Sequence, residues 1–146
     1  MRCVVQRVLK ASVTVDENIT GEIEKGLLVL VGITHSDTRE TAEWMCEKLL
    51  KLRIFEDEDG KLNRSVTDIS GGILLVSQFT LYGELKKGTR PSFTEAARPE
   101  IAEPLYMEMI GLLKEQNSVD IQTGIFGAMM DVELVNSGPV TIILER

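Results

Sequence analysis

The sequence is poor in the residues from which most catalytic and metal-binding sites are built. Its 146 residues include one histidine, His35, and two cysteines, Cys3 and Cys46. That inventory excludes a zinc site of the usual Cys/His kind, which needs several such ligands, and no other metal site is expected. The cysteines have no paired spacing and read as buried thiols in a reducing compartment rather than as a disulfide framework. Long apolar runs are also missing. The longest is Leu27 to Val31, or to Ile33 across Gly32, and a bilayer-spanning helix needs ~20 such residues. The first residues, Met1-Arg2-Cys3-Val4-Val5-Gln6-Arg7, lack the apolar length and small-residue cleavage site of a signal peptide. A cytoplasmic protein with no membrane partner is the expectation. No repeat, low-complexity stretch or Pro/Ser-rich linker divides the chain, so residues 1–146 are read as a single domain.

Basic charge is in deficit, with 16 Lys and Arg against 23 Asp and Glu, a net charge of -7. The sum disfavours nonspecific binding to nucleic acid. Its distribution is uneven: Lys86, Lys87, Arg90 and Arg98 gather in one stretch, so a local phosphate contact stays open. The acidic run Glu56-Asp57-Glu58-Asp59-Gly60-Lys61 reads as a solvated turn, since a calcium loop needs a longer pattern of alternating ligands.

What is present is a strand-rich pattern with two helices. Ala11, Val13 and Val15 alternate with polar neighbours, Asp16-Glu17-Asn18 supplies a turn, and Leu27 to Ile33 suits a strand covered on both faces. Ala42, Met45, Cys46, Leu49 and Leu50 recur at helical spacing. They predict a helix from about Thr38 to Leu52, opened by Asp37 and Glu40 as a capping box and carrying a Glu47–Lys51 pair. A strand from Ile73 to Leu81 follows Gly71-Gly72, and a second helix starts near Pro99 and runs through Leu113. Two last strands, Met130 to Val135 and Val140 to Leu144, are interrupted by Asn136-Ser137-Gly138-Pro139. The pattern predicts an α+β fold, a strongly curled, barrel-like mixed sheet with two main helices packed outside.

Two polar segments stand where a sheet would prefer apolar residues. In Ser77-Gln78-Phe79-Thr80-Leu81-Tyr82-Gly83, strand alternation would put Gln78 and Thr80 on one face and Ser77 on the other. Asn136-Ser137-Gly138-Pro139-Val140-Thr141 carries an obvious turn. On spacing alone, Thr80 is equally a strand-forming residue on a solvated face.

Together these segments resemble the two signature motifs of the D-aminoacyl-tRNA deacylase family. The resemblance continues through Gln6-Arg7-Val8, Gly26 to Gly32, Leu52-Arg53-Ile54-Phe55, Gly60-Lys61-Leu62-Asn63, Gly88-Thr89-Arg90-Pro91-Ser92-Phe93 and Thr123 to Met130, so it covers essentially the whole chain. It implies a cytoplasmic, proofreading homodimer without a cofactor. Such an enzyme hydrolyses the ester of D-aminoacyl-tRNA, and of glycyl-tRNA mischarged on tRNA(Ala), releasing tRNA and amino acid. It further implies that Gly138-Pro139 is a cis peptide projecting from one subunit into the active site of the other. There it walls off L side chains, with Arg7 holding the loop. Ser77, Gln78, Phe79 and Thr80 then carry the chemistry, and Phe126 and Met129 form a wall for the terminal adenosine.

How the ester is attacked stays open on the sequence alone. Thr80 as a nucleophile needs a base, and His35 is far in sequence from both motifs. The other reading lets backbone N–H groups around Phe79 and Thr80 stabilise the oxyanion while Gln78 positions ester or water and the ribose hydroxyl assists. A different class remains too: a noncatalytic nucleic-acid-binding dimer of the same fold.

Overall fold

The computed structural model describes residues 1–86, 88–116 and 119–146. Strand β1 (Arg2–Val15) turns at Asp16 and Glu17, both with positive φ, into β2 (Asn18–Ile23), and β3 (Gly26–Gly32) follows. β1 therefore begins well before the alternating stretch at Ala11. After a shift between Val13 and Thr14, one register runs from Val13 opposite Gly21 to Arg2 opposite Gly32. Hence β2 and β3 lie end to end along one edge of β1, and the other edge takes β8 (Asp131–Glu145).

Two helical crossovers build the parallel part of the sheet. Helix α1 (Arg39–Lys51) and a small hairpin of β4 (Phe55–Glu56) and β5 (Leu62–Arg64) lead to β6 (Gly72–Ser77), parallel to β3. Helix α2 (Pro99–Lys114) then leads to β7 (Asp120–Thr123), parallel to β6. The order β2-β1-β3-β6-β7, with β8 on β1, makes a mixed sheet. It curls until β2 meets β7, where a Cβ placed on Gly21 would lie 2.7 Å from the Thr123 carbonyl oxygen.

The curl gives β3 and β6 two buried faces, as their aliphatic runs require. Leu27, Val29, Ile73 and Leu75 face the helices and pack with Met45, Leu49, Tyr106, Met109 and Leu113. Leu28, Leu74 and Val76 face into the curl with Val8 and Val13. Each such side chain contributes roughly 1.5–3 kcal/mol of burial energy. Among the described residues, no helix is long and apolar enough to cross a membrane.

Local details depart from the sequence expectations in three places. First, the cap of α1 is Thr38, whose N–H donates to Thr41 Oγ1 at 3.3 Å and whose hydroxyl donates to Glu40 at 2.6 Å. Asp37 is engaged elsewhere, accepting the Thr34 N–H at 2.7 Å and pairing with the Met1 α-ammonium. Second, the strand after Gly72 stops at Ser77 instead of reaching Leu81. Third, the two final strands are one, β8, with an insert: Gln6 opposes Thr141 and Val8 opposes Asn136, so Ser137 to Val140 bulge from the ladder. The helix pair Glu47–Lys51 forms as expected at 2.6 Å. Cys3 and Cys46 are free and buried, and burial pushes both thiols up to about 12, which leaves them protonated and unreactive.

Candidate active site

The site is built where β6 runs out of partners. The Gln78 N–H still donates to the Val31 carbonyl, at 2.7 Å, but β3 ends one residue later. The chain then coils into a 3₁₀ turn, Phe79–Tyr82, closed by Leu81 N–H to the Gln78 carbonyl (3.2 Å) and Gly83 N–H to the Thr80 carbonyl (2.9 Å). Gly32 makes room for this turn: a Cβ there would lie 3.0 Å from Leu81 and 3.2 Å from the Tyr82 ring. Arg2 braces its far end, donating to the Leu81 carbonyl at 2.7 Å while its guanidinium sits 5.0 Å from the Tyr82 ring centre. Burial pushes the Tyr82 phenol up to about 12.

Because the segment is a turn, strand alternation does not decide what faces what. Gln78 and Thr80 do meet, through the Gln78 amide donating to Thr80 Oγ1 at 2.5 Å. The Thr80 hydroxyl accepts that bond and keeps its own proton to donate elsewhere. The N–H groups of Phe79 and Thr80 precede the first bond inside the turn and have no partner within it.

These groups stand at the mouth of a cavity of about 630 Å³. Ser77, Gln78, Phe79 and Thr80, at and just beyond the end of β6, form one wall, and Phe126, Met129 and Met130, which follow the neighbouring β7, form another. Val31, Val76 and Ala102, all buried, also line it, so much of its lining is apolar. Phe93 closes a third side and meets Phe79 edge-on, with ring centres 5.1 Å apart. Phe126 leans on Tyr106, 5.8 Å between ring centres. Met129 is 93% exposed, which no core-filling role explains, while Phe79 is 58% exposed. The cavity lies beyond the carboxyl ends of the parallel strands β3, β6 and β7, the usual ligand position in such sheets.

A second group of candidate residues assembles elsewhere. Arg7 is only 7% exposed. Its Nε donates to the Ser137 carbonyl at 3.1 Å and its Nη1 to the Ile54 carbonyl at 2.7 Å, with Glu56 at 3.9 Å. The bulge it holds contains the cis Gly138-Pro139 peptide, with Gly138 at φ +116°. A Cβ on Gly138 would press into the Arg7 guanidinium, so only glycine fits. Gly138 and Pro139 are at the surface, and neither lines the cavity of their own chain. The structure thus joins Ser77, Gln78, Phe79, Thr80, Phe126 and Met129 in one place, and Arg7, Gly138 and Pro139 in another.

His35 belongs to neither group. It is exposed, with Nε2 2.9 Å from the Thr94 carbonyl oxygen. Among the described residues no cluster of three or more His, Cys, Asp or Glu is arranged to hold a metal. Lys86 is paired with Glu84 at 2.9 Å and Arg90 is exposed; Lys87 lies outside the described residues. A second cavity of about 510 Å³, lined by Lys10, Ser12, Glu22 and Lys25 among others, contains none of the candidate residues. Spacing gave no sign of two contributors to the site, Arg2 and Ala102, which reach it only through the curl of the sheet and the packing of α2.

Fold and cavity together define a class: a curled α+β domain that presents backbone donors and short polar side chains, with no imidazole, to an apolar pocket at its parallel strand ends. The chain belongs to the D-Tyr-tRNA(Tyr) deacylase family, whose sequence model matches residues 4–145. It is 57% identical over 145 residues to a D-aminoacyl-tRNA deacylase of Chloroherpeton thalassium, covering 99% of this chain and 95% of that one. A D-aminoacyl-tRNA deacylase of Exiguobacterium sibiricum is 56% identical over the full length of both. Among solved structures, one described as a c-Myc DNA unwinding element binding protein superposes with a TM-score of 0.93 at 45% identity, covering 100% of this chain and 99% of that one.

Proposed function

We propose that residues 1–146 form one deacylase domain that hydrolyses the ester of D-aminoacyl-tRNA in the cytoplasm. Water adds to the acyl carbon, the ribose oxygen leaves with a proton, and free tRNA and D-amino acid are released. The observation that carries this reading is the meeting of the Gln78–Thr80 pair and the unspent N–H groups of Phe79 and Thr80 with the apolar cavity, in a chain of this family. The N–H groups would receive the developing oxyanion, a role worth ~2.7–4 kcal/mol per donor in other hydrolases. Gln78 orients ester or water, Ser77 shapes the pocket beneath it, and Phe126 and Met129 hold the terminal adenosine. Thr80 lacks a neighbouring base among the cavity-lining residues, which favours this route over a threonine nucleophile. An aminoacyl ester is itself activated and carries a neighbouring ribose hydroxyl, so the protein has less of the barrier to remove.

The same reading makes the enzyme a homodimer in which the Gly138-Pro139 bulge of one subunit enters the cavity of the other. The bulge is at the surface and braced by Arg7, and the cavity has no such wall from its own chain. Exposed apolar side chains on β8 and the adjoining β1, Val135 at 42%, Ile143 at 65% and Leu9 at 52%, suit burial against a second copy. A rigid backbone placed against Cα leaves space for hydrogen but not for an L side chain. D-aminoacyl esters and glycyl-tRNA mischarged on tRNA(Ala) would then pass.

The test is release of amino acid from matched D-Tyr-tRNA and L-Tyr-tRNA by the purified protein in EDTA. Hydrolysis of the D ester alone is the expected result. Activity that vanishes in EDTA and returns with a metal would overturn metal-independent hydrolysis. If neither ester is cleaved by folded protein that still binds tRNA, a noncatalytic nucleic-acid-binding dimer takes the place of this reading.

A further inference from the structure

The two walls of the cavity diverge from a single backbone carbonyl. Leu75 on β6 pairs with Thr123, the last residue of β7, and its carbonyl accepts the Gly124 N–H at 3.1 Å, the final rung between the strands. Beyond it, β6 runs on through Val76 and Ser77 into the 3₁₀ turn. The other chain goes through Gly124 and Ile125 to Phe126 and Met129. The direction in which each wall departs is set at this fork.

A side chain from a third element grips the same atom. Tyr106 on α2 donates its phenol hydrogen to the Leu75 carbonyl at 2.8 Å, filling the lone pair that Gly124 leaves free. The Tyr106 ring is 1% exposed and supports Phe126, with ring centres 5.8 Å apart at 45°. One turn earlier on the same helix face, Ala102 lines the cavity. A phenylalanine would fill this space without having to bury a hydroxyl, which is costly unless bonded. Here the hydroxyl is spent on the one carbonyl from which both walls spring.

We propose that Tyr106 is a positioning residue for substrate binding, fixing the Phe126–Met129 wall relative to the β6 end by its bond to the Leu75 carbonyl. This rests on the reading above, in which that wall receives the substrate. Tyr106 touches no reacting atom, so its loss should loosen the wall and leave the donors at Phe79 and Thr80 in place.

The experiment compares the full-length wild type with Tyr106→Phe and Cys46→Ala. Cys46 on α1 contacts the Met109 carbonyl of α2 at 3.7 Å and lines no part of the cavity, so its variant reports a packing change between the two helices away from the cavity. For Tyr106→Phe, KM for D-Tyr-tRNA is expected to rise about three- to tenfold with kcat within about twofold, the signature of lost binding rather than lost chemistry. Carbon-13 methyl signals of Met129 and Met130 should shift in Tyr106→Phe and stay in place in Cys46→Ala. A wild-type KM together with unmoved methyl signals in Tyr106→Phe, whatever its melting temperature, would overturn the proposal. So would an equal KM rise in Cys46→Ala. If the wild type itself cleaves no D ester, the functional reading fails, and the methyl signals alone still decide whether Tyr106 positions the wall.

Discussion

The chain leaves its sheet at two polar segments, and the two departures are built in opposite ways. After Ser77 the strand stops because β3 beside it stops, and the turn folds over Gly32 toward an apolar cavity. At Ser137 to Val140 the ladder continues on both sides, and the bulge is pushed outward with the buried Arg7 beneath it. The first places two N–H groups that have no partner within the turn beside a cavity its own chain lines. The second presents Gly138 and Pro139 at the surface, outside the cavity of their own chain. The difference teaches that a strand end can open onto an enclosed space while an insert within a ladder stays at the surface, so Gly138 and Pro139 line no part of the cavity that Gln78 and Thr80 border.

Breaking the outward segment should have the largest effect. Gly138→Ala adds a Cβ against the Arg7 guanidinium at a φ of +116°, a strain on the order of 1–3 kcal/mol. The ratio of D-Tyr-tRNA to L-Tyr-tRNA hydrolysis is expected to fall by about tenfold or more, because about 1.4 kcal/mol of misplaced wall suffices for that. An unchanged ratio would remove Gly138 from discrimination.

Breaking the inward segment at its side chain should do less. Thr80→Ala removes the acceptor for the Gln78 amide and leaves the backbone N–H groups in place. Single-turnover rates are expected to drop by no more than about tenfold, against the roughly 10²–10³ that loss of an oxyanion donor costs. Complete inactivity with intact tRNA binding would restore Thr80 as the nucleophile.

The smallest effect concerns the support under Arg7. The β4–β5 hairpin follows Ile54, whose carbonyl Arg7 binds, and its turn is organised by Asp57. The Asn63 side chain, then the Lys61 and Asp59 N–H groups at 2.9 Å, hold the Asp57 carboxyl below the usual range. A depressed carboxyl stabilises the fold above its unfolded pKa, and that contribution disappears as pH falls through the folded value. Asp57→Asn should therefore melt slightly below wild type at neutral pH and converge with it in acid. Thermal melts across the acid limb measure this, and parallel curves would refute it.

Much of this molecule was legible in the sequence where one residue type has one physical use. The period-2 run at Ala11, the doubly buried β3 and the apolar stripe of α1 follow from burial, and the structure has all of them. Errors fell where a local pattern competed with a distant partner. Asp37 and Glu40 match a cap pattern, yet the Met1 α-ammonium takes Asp37, and the cap passes to Thr38. Ile73 to Leu81 reads as an unbroken strand, yet a strand persists only as long as its neighbour does, and β3 ends at Gly32. Likewise, Gly138-Pro139 reads as an interruption, whereas the long partner β1 keeps both flanks in one strand.

The candidate site divides along the same line. Ser77, Gln78, Thr80, Gly138 and Pro139 stand out as polar or turn residues among apolar strands, and the roles of Phe79, Phe126, Met129 and Arg7 are implied by the family resemblance. By itself the sequence determined the α+β class, the buried strands, the near absence of imidazole and the two unusual segments, because composition and periodicity are local quantities. Tertiary structure alone decided that α2 supports Phe126 through Tyr106 and that Arg2 braces the 3₁₀ turn. Those contacts join residues far apart in the chain, and their geometry follows from how tightly the sheet curls, which no single segment encodes.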